Sequence, residues 1–291
     1  MATIRELKLK IHSTKNIQQI TKAMKMVAAA RLKKAQARLE SARPYARRMA
    51  EVTLDLAALT PWTFNPLLRP QHHFLKNVLV LVFTGDRGMA GSFHNNVADE
   101  AIKFGENLGE KVNLSYYVIG KKGLYRFQKK KTPVFKFFNQ SVAGVSFTSA
   151  QTLAKDLIQG YRQGKYERIY LFYAKYYSAM NQKPRAFQLL PIDPDQARQK
   201  EKGGIFVYEP VRKDLLYSLV PRYVESEIFR AFLETEAGEL GSRMSAMSAA
   251  TDSAEEIIQK YQVEFNRVRQ DQITKEIIEI VGGAEALKKS E

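Results

Sequence analysis

Cysteine is absent from this 291-residue chain. That excludes disulfides, zinc–thiolate sites and thiol switches, and it suits a reducing compartment. Long apolar runs are missing too. None approaches the roughly 20 residues that a membrane-spanning helix needs, and the longest, Val78 to Phe83, reads as a buried strand. Met1 to Ile11 alternates charge with isolated apolar residues and has no signal-peptide core. Any membrane association is therefore expected to be indirect. Glycine does not occur in the first 60 residues, and no acid lies between Glu6 and Glu40. The chain has no internal repeat and no low-complexity linker.

What is present in excess is positive charge. The 46 basic and 30 acidic residues give a net +16, which favours a negatively charged partner: nucleic acid, an anionic membrane face or an acidic protein surface. Residues 1–60 carry 13 basic and 4 acidic groups, residues 61–210 carry 22 and 11, and residues 211–291 carry 11 and 15. The two ends thus differ in the sign of their net charge, which favours bringing them together.

The hydrophobic period changes twice along the chain. In the first segment Ile4, Leu7, Ile11, Ile17, Ile20, Met24, Val27, Leu32, Ala35 and Leu39 recur mostly at three and four, the period of a coiled-coil seam. Pro44 predicts a kink, and the helix is expected to stop before the three prolines of 61–70. At 1.5 Å per residue it would be roughly 80 Å long, too long for a domain of this size to bury, so it must pair and protrude. In the middle segment the strand patterns Val78–Thr84, Val112–Ile119, Pro133–Phe138, Ile169–Ala174 and Phe187–Ile192 alternate with helical patterns at Asn95–Leu108, Lys121–Lys130 and Ser149–Gln163. That order predicts an α/β domain with a mostly parallel sheet. Ile205–Tyr208 offers a short last strand after a polar loop. In the last segment Leu233, Ala237, Leu240, Met244, Met247, Ala250, Ala254, Ile258, Tyr261, Phe265, Val268, Ile273, Ile277 and Ile280 return to helical spacing. Pro210 or Pro221 marks its start, and Gly282-Gly283 its stop. Small residues between Gly238 and Ala254 let another backbone approach closely. The division read is a coiled-coil helix over 1–60, an α/β domain over 61–209 and a coiled-coil helix over 210–286. Antiparallel pairing of the two seams buries apolar stripes that each would otherwise expose.

No catalytic, cofactor or metal constellation emerges. The loop Thr84-Gly85-Asp86-Arg87-Gly88-Met89-Ala90-Gly91-Ser92 follows a strand, as phosphate-cradling loops do. Its Gly-x-x-Gly-x-x-Gly spacing matches neither nucleotide fingerprint, so a tight turn is the stronger reading. Asp86 has no second carboxylate nearby to make a magnesium or base site, and His12, His72, His73 and His94 lack ligand spacing. The basic stripe Lys8, Lys10, Lys15, Lys22, Lys25, Arg31, Lys33, Lys34, Arg38 exceeds what solubility needs. An acidic protein surface and nucleic acid compete to explain it, and the lack of interleaved aromatics weighs against nucleic acid. Arg267, Arg269, Gln270 and Thr274 are either a solvated face or a hydrogen-bonding catch for a partner loop.

Longer stretches are more specific. Ile20-Thr21-Lys22-Ala23-Met24-Lys25-Met26-Val27-Ala28 and Asn266-Arg267-Val268-Arg269-Gln270, continued by Ile273-Thr274-Lys275-Glu276 and Glu279-Ile280-Val281, resemble the gamma subunit of the F-type ATP synthase. Asp86 to Gly91 and Arg243-Met244-Ser245-Ala246-Met247 with Ala250-Thr251-Asp252 are similar to that family's central loop and small-residue helix. The resemblance implies a Rossmann-like α/β domain beside an antiparallel coiled coil. It also implies a non-catalytic rotor without cofactor or metal, present once per complex. Its partners would be three alpha and three beta subunits, epsilon and the ring of c subunits, with no nucleic acid and with membrane contact only through that ring. Lys22, Met24, Lys25, Arg243, Arg269 and Gln270 would meet the beta subunits, and Tyr208 and Glu209 would lie in the foot on epsilon and the c-ring. Many relatives have an acid where this chain has Lys25, which puts the coupling at that position in doubt. The cysteine-bearing insertion of plastid members is missing, and no transit peptide is read, so a bacterial chain on the cytoplasmic face of the cell membrane is expected.

Overall fold

The computed structural model describes residues 3–61, 63, 65–68, 76–109, 112–193, 209 and 211–288. The elements are α1 (Ile4–Ala58), β1 (Asn77–Phe83), α2 (Phe93–Asn107), β2 (Asn113–Ile119), α3 (Lys121–Lys129), β3 (Lys136–Phe138), α4 (Phe147–Arg162), β4 (Arg168–Ser178), β5 (Asn181–Leu190) and α5 (Arg212–Lys288). The chain divides into two compact units, one of Ala28–Arg243 and one of Met1–Val27 with Met244–Glu291.

In the larger unit the sheet runs β3-β2-β1-β4-β5. β1 pairs parallel to β2 and β4, β2 parallel to β3, and β4 antiparallel to β5. This is the mostly parallel α/β sheet that the alternating pattern predicts. β1 is apolar from Val78 to Phe83 because both its faces are covered there. Leu79, Leu81 and Phe83 join α4, the end of α1 and Leu216–Phe232 of α5 in one core. Val78, Val80 and Val82 join α2 and Phe127 of α3 in the other. Phe83 meets Phe232 edge-on at 5.0 Å between ring centroids, an arrangement that stabilises beyond its buried area. Two ion pairs, Arg38–Glu236 at 3.0 Å and Arg43–Glu234 at 3.4 Å, cross between α1 and α5, so the opposite charge of the two chain ends is realised here.

Several boundaries differ from the sequence reading, each for a physical reason. β3 starts at Lys136, not Pro133: proline offers no ladder N–H, and only from Lys136 does the register with β2 begin. β5 starts at Asn181 and ends before Pro191, so it is longer at the front than the Phe187–Ile192 pattern suggested. Its first half, Asn-Gln-Lys-Pro-Arg-Ala, is polar because among the described residues β5 is an edge strand, where charge and proline blunt further pairing. α1 is continuous across Pro44, so the predicted kink does not interrupt it. α5 continues through Gly282 and Gly283 to Lys288. The glycines cost about 1 kcal/mol each, and Ala284-Glu285-Ala286-Leu287-Lys288 are helix formers that offset this. The candidate strand Ile205–Tyr208 lies outside the described residues.

In the smaller unit α1 starts on a reciprocal capping box: the Thr3 N–H donates to Glu6 Oε2 at 2.9 Å, and the Glu6 N–H to Thr3 Oγ1 at 3.3 Å. The first stretch of α1 lies antiparallel to the later part of α5. The Lys8 and Lys10 ammoniums sit 5.7 and 5.6 Å above the rings of Phe265 and Tyr261. Thr251 Oγ1 reaches Thr21 Oγ1 at 2.8 Å, and Lys25 Nζ donates to Ser248 Oγ at 2.9 Å. As the α1 number rises, the α5 number falls in step, which fixes the antiparallel sense of the coiled coil. The seam keeps Ile4, Leu7, Ile11 and Met24 of the apolar spacing but departs from it at Ile17, Ile20 and Val27. The less exposed positions of α1 are Ile4, Leu7, Ile11, Thr14, Gln18, Thr21 and Met24, facing Met244, Met247, Thr251, Ala254, Ile258, Tyr261, Phe265 and Val268. Ile17 and Ile20 are 52% and 59% exposed. Steps of three and four hold one face, and that face takes Thr14 and Gln18 whatever their polarity. Beyond Val268 every described side chain of α5 is exposed, so Ile273, Ile277 and Ile280, which the spacing placed in the seam, lie outside it: α1 begins at Ile4 and offers them no partner turn.

Candidate functional site

The loop after β1 is fixed by its neighbours before any ligand is considered. Thr84 Oγ1 donates to the Ile119 carbonyl at 2.7 Å and accepts the Gly123 N–H at 2.9 Å. The Gly85 N–H donates to His94 Nδ1 at 3.2 Å, and His94 Nε2 lies 3.0 Å from the Arg87 carbonyl. With Nδ1 accepting, Nε2 carries the proton, so His94 is neutral. Asp86 Oδ1 accepts the Lys121 N–H at 2.9 Å, holding the start of α3. Positive φ at Met89 and Gly91, 60° and 55°, turns the chain toward α2.

Helix α5 closes over this loop. Ser242 Oγ donates to the Ala90 carbonyl at 2.9 Å, and Arg243 donates to the carbonyls of Gly88 and Arg87 at 3.2 and 3.3 Å while pairing with Glu239. Gly238 and Gly241 allow the approach: a Cβ on Gly238 would lie 2.8 Å from the Phe93 ring, and one on Gly241 2.9 Å from the Ala179 carbonyl oxygen. Open α/β sheets ordinarily hold ligands at the carboxyl ends of their strands, where the strand order turns. Here the ends of β1 and β4 are covered by this chain's own helix. The loop turns carbonyls, not a cradle of N–H groups, toward a cation, which is the reverse of what phosphate needs. Among the described residues no cluster of metal-ligating side chains is found. The positive φ at Gly91 and the carbonyls turned toward Arg243 favour the turn reading of the glycines.

Burial pushes the His94 pKa down to about 4, a neighbouring Arg243 and Lys122 adding to the shift, while the Arg87 carbonyl opposes it. Burial raises the Glu239 carboxyl, against the pull of Arg243. For His94 the folded pKa lies below the unfolded 6.5. Its contribution to stability is therefore complete above that unfolded value and is lost as pH falls toward about 4, amounting to about 3 kcal/mol at most. Glu239 works the other way, since protonation relieves its buried charge. Thermal melting of the chain is expected to weaken between pH 6.5 and 4, and His94→Gln is expected to flatten that decline. A variant as acid-sensitive as the parent would show that His94 is not its source.

The sequence-predicted contact residues fall into separate places. Lys22 and Lys25 are exposed on α1, Met24 is half-buried on the seam between them, and Lys25 bridges to Ser248. Arg269 and Gln270 are exposed on α5, and among the described residues no carboxylate lies within ion-pair distance of Arg269. Ser248 and Arg269 are 21 residues apart on one helix, about 30 Å, so the two groups form two stations on the paired helices. Arg243 joins neither, because its guanidinium is buried against the loop. Glu209 is exposed, and Tyr208 lies outside the described residues. Sequence reasoning missed Glu239 and Ser242. The signal available was the Gly-Glu-Leu-Gly-Ser run, whose glycines were read as permitting close approach without naming what approaches.

Comparison with known proteins bears on the whole chain. The profile of the family described as ATP synthase matches residues 3–287. The ATP synthase gamma chain of Trichlorobacter lovleyi is 39% identical over 290 residues, covering 99% of this chain and 100% of that one. That of Geobacter metallireducens is 38% identical over 289 residues, with the same coverage. Among solved structures, the rotor of Euglena gracilis mitochondrial ATP synthase matches with a TM-score of 0.64 at 16% identity, over 93% of this chain and 98% of that one. The Tetrahymena thermophila mitochondrial ATP synthase central stalk and c-ring structure matches with a TM-score of 0.55 at 23% identity, over 79% and 99%. These two likenesses concern the fold.

Proposed function

The chain belongs to the ATP synthase gamma-chain family, and from that premise we propose that it is the non-catalytic central rotor shaft that couples proton transport to ATP synthesis or hydrolysis. The observation that carries the reading is α5. One uninterrupted helix of 77 residues supplies both Leu216–Phe232 of the domain core and the Met244–Val268 face of the antiparallel pair. In the proposed rotor α5 is the segment shared by the domain core and the helix pair. The functional division is then a coiled-coil helix over 1–60, an α/β domain over 61–209 and a coiled-coil helix over 210–286.

The partners are three alpha and three beta subunits around the paired helices, with epsilon and the c-ring at the foot near Tyr208 and Glu209. One copy of the chain serves each complex, held peripherally on the cytoplasmic face of a bacterial membrane. No described helix is long and apolar enough to cross that membrane. Lys22, Met24 and Lys25 form one beta-facing station, and Arg269 and Gln270 the other. Arg243 belongs to this set on resemblance, and a beta carboxylate would reach it only by displacing Glu239. A rotating contact needs attraction without a fixed fit. Charge supplies this, since Coulomb energy falls gently with distance while packing is lost within about 1 Å. Lys8 and Lys10 cap Phe265 and Tyr261, which leaves those rings unavailable to stack on bases and counts against a nucleic-acid role. Affinity purification of the tagged chain from its native membranes is expected to recover the alpha, beta, epsilon and c subunits. Recovery of nucleic acid without the ATPase would overturn the proposal.

A further inference from the structure

Between Glu110 and Asp156 the sequence contains nine basic residues and no acid. In the fold these residues include β2, α3, β3 and most of α4. Among the described residues two of them are matched: Arg126 pairs with Asp99 at 2.6 Å and Lys136 with Asp156 at 2.5 Å. Lys121, Lys122, Lys129, Lys130 and Lys131 are exposed, and among the described residues none lies in an ion pair. Tyr125, 66% exposed, stands among them, one helical turn from Lys121, Lys122 and Lys129 on the same face.

Helix stability explains only part of this. Lys129 and Lys130, at the end of α3, complement the negative end of the helix dipole. Lys121 and Lys122 occupy the first turn, where a positive charge is unfavourable, and the Asp86 carboxylate that accepts the Lys121 N–H offsets one charge of the two. Their selection calls for something outside the helix. A fixed protein interface is poorly served by this composition, because interface cores favour arginine and are depleted in lysine. The one arginine of α3 is committed to Asp99. Five hydrated point charges around a single exposed tyrosine instead suit a diffuse anionic surface, with the phenol at the boundary between apolar and wet layers. We propose that membrane contact is not confined to the c-ring, as the resemblance implied, and that this face of α3 meets the anionic lipid headgroups of a bilayer. It is a peripheral electrostatic contact that holds no fixed register and so permits sliding.

The test uses the full chain and sedimented vesicles of phosphatidylcholine, with and without about one-third phosphatidylglycerol. Binding is expected only with the anionic lipid and is expected to fall as salt rises. The triple variant Lys129→Glu, Lys130→Glu, Lys131→Glu is expected to lose about a hundredfold in vesicle affinity. The charge-matched control Arg31→Glu, Lys33→Glu, Lys34→Glu on α1 is expected to lose less than about threefold. A second variant separates binding from folding: Lys121→Gln with Lys122→Gln is expected to raise the melting temperature, by relieving the dipole conflict, while lowering vesicle affinity. Equal losses in the two triple variants would overturn the proposal. So would an absence of vesicle binding by the parent chain, or α3-dependent binding to polyglutamate or duplex DNA in place of vesicles.

Discussion

Leu240→Asp is expected to lower the stability of the chain by about 5 kcal/mol, from the lost burial of the leucine and the cost of an unpaired carboxylate in its place. Leu240 is 8% exposed, between the fully buried Ala237 and the buried Arg243. The nearby cations are already engaged: Arg243 by Glu239, Arg38 by Glu236 and Arg43 by Glu234. Glu236, one turn earlier on the same helix, would also repel the new charge. At about 2–4 °C per kcal/mol for a domain of this size, the melting temperature should drop by more than about 10 °C. Leu240→Met, which keeps volume and apolarity, should cost about 1 kcal/mol. An unshifted melting curve for the aspartate variant would contradict the burial assigned to this stretch of α5.

Arg269→Glu is expected to act in the opposite register, on activity and not on folding. The side chain is exposed, and among the described residues it has no carboxylate in pairing distance, so its loss removes nothing the isolated chain uses. In a reassembled complex, reversal would turn the charge-assisted bond proposed for this position into repulsion. A bond of that kind contributes about 1.5–3 kcal/mol, so ATPase activity should fall at least about tenfold, with melting of the isolated chain unchanged. Arg269→Lys, which keeps charge but not the planar fork, should fall between the two. Full activity in the glutamate variant would remove Arg269 from the contact set.

The parts of this molecule that sequence conveyed are those where one signal dominates. β1 shows itself because a strand covered on both faces has only apolar residues to offer. α1 and α5 show themselves because nothing but helix keeps a three-and-four period for so long. β5 was half hidden, since an edge strand is selected to look unlike a strand. The seam was misplaced at Ile17 and Ile20 because hydrophobicity was followed where geometry decides. Those two isoleucines are apolar residues on the outside of the pair, which fits a surface that other proteins touch. The covered crevice at the sheet end was legible only as permission, in Gly238 and Gly241. The residues that use it, Glu239, Ser242 and Arg243, meet a loop about 150 positions away, and no local pattern encodes that meeting.

The unequal lengths of the two antiparallel partners have a mechanical corollary. Near Val268 the rod changes from two strands of helix to one, and about 20 Å of single helix follows before the described side chains end at Gly282. A doubled bar resists flexure far more than a single one, so compliance concentrates in that slender tail. Load taken up there bends the single helix before it twists the doubled stretch between Ile4–Met24 and Met244–Val268, and the helix pair is graded from pliant to stiff.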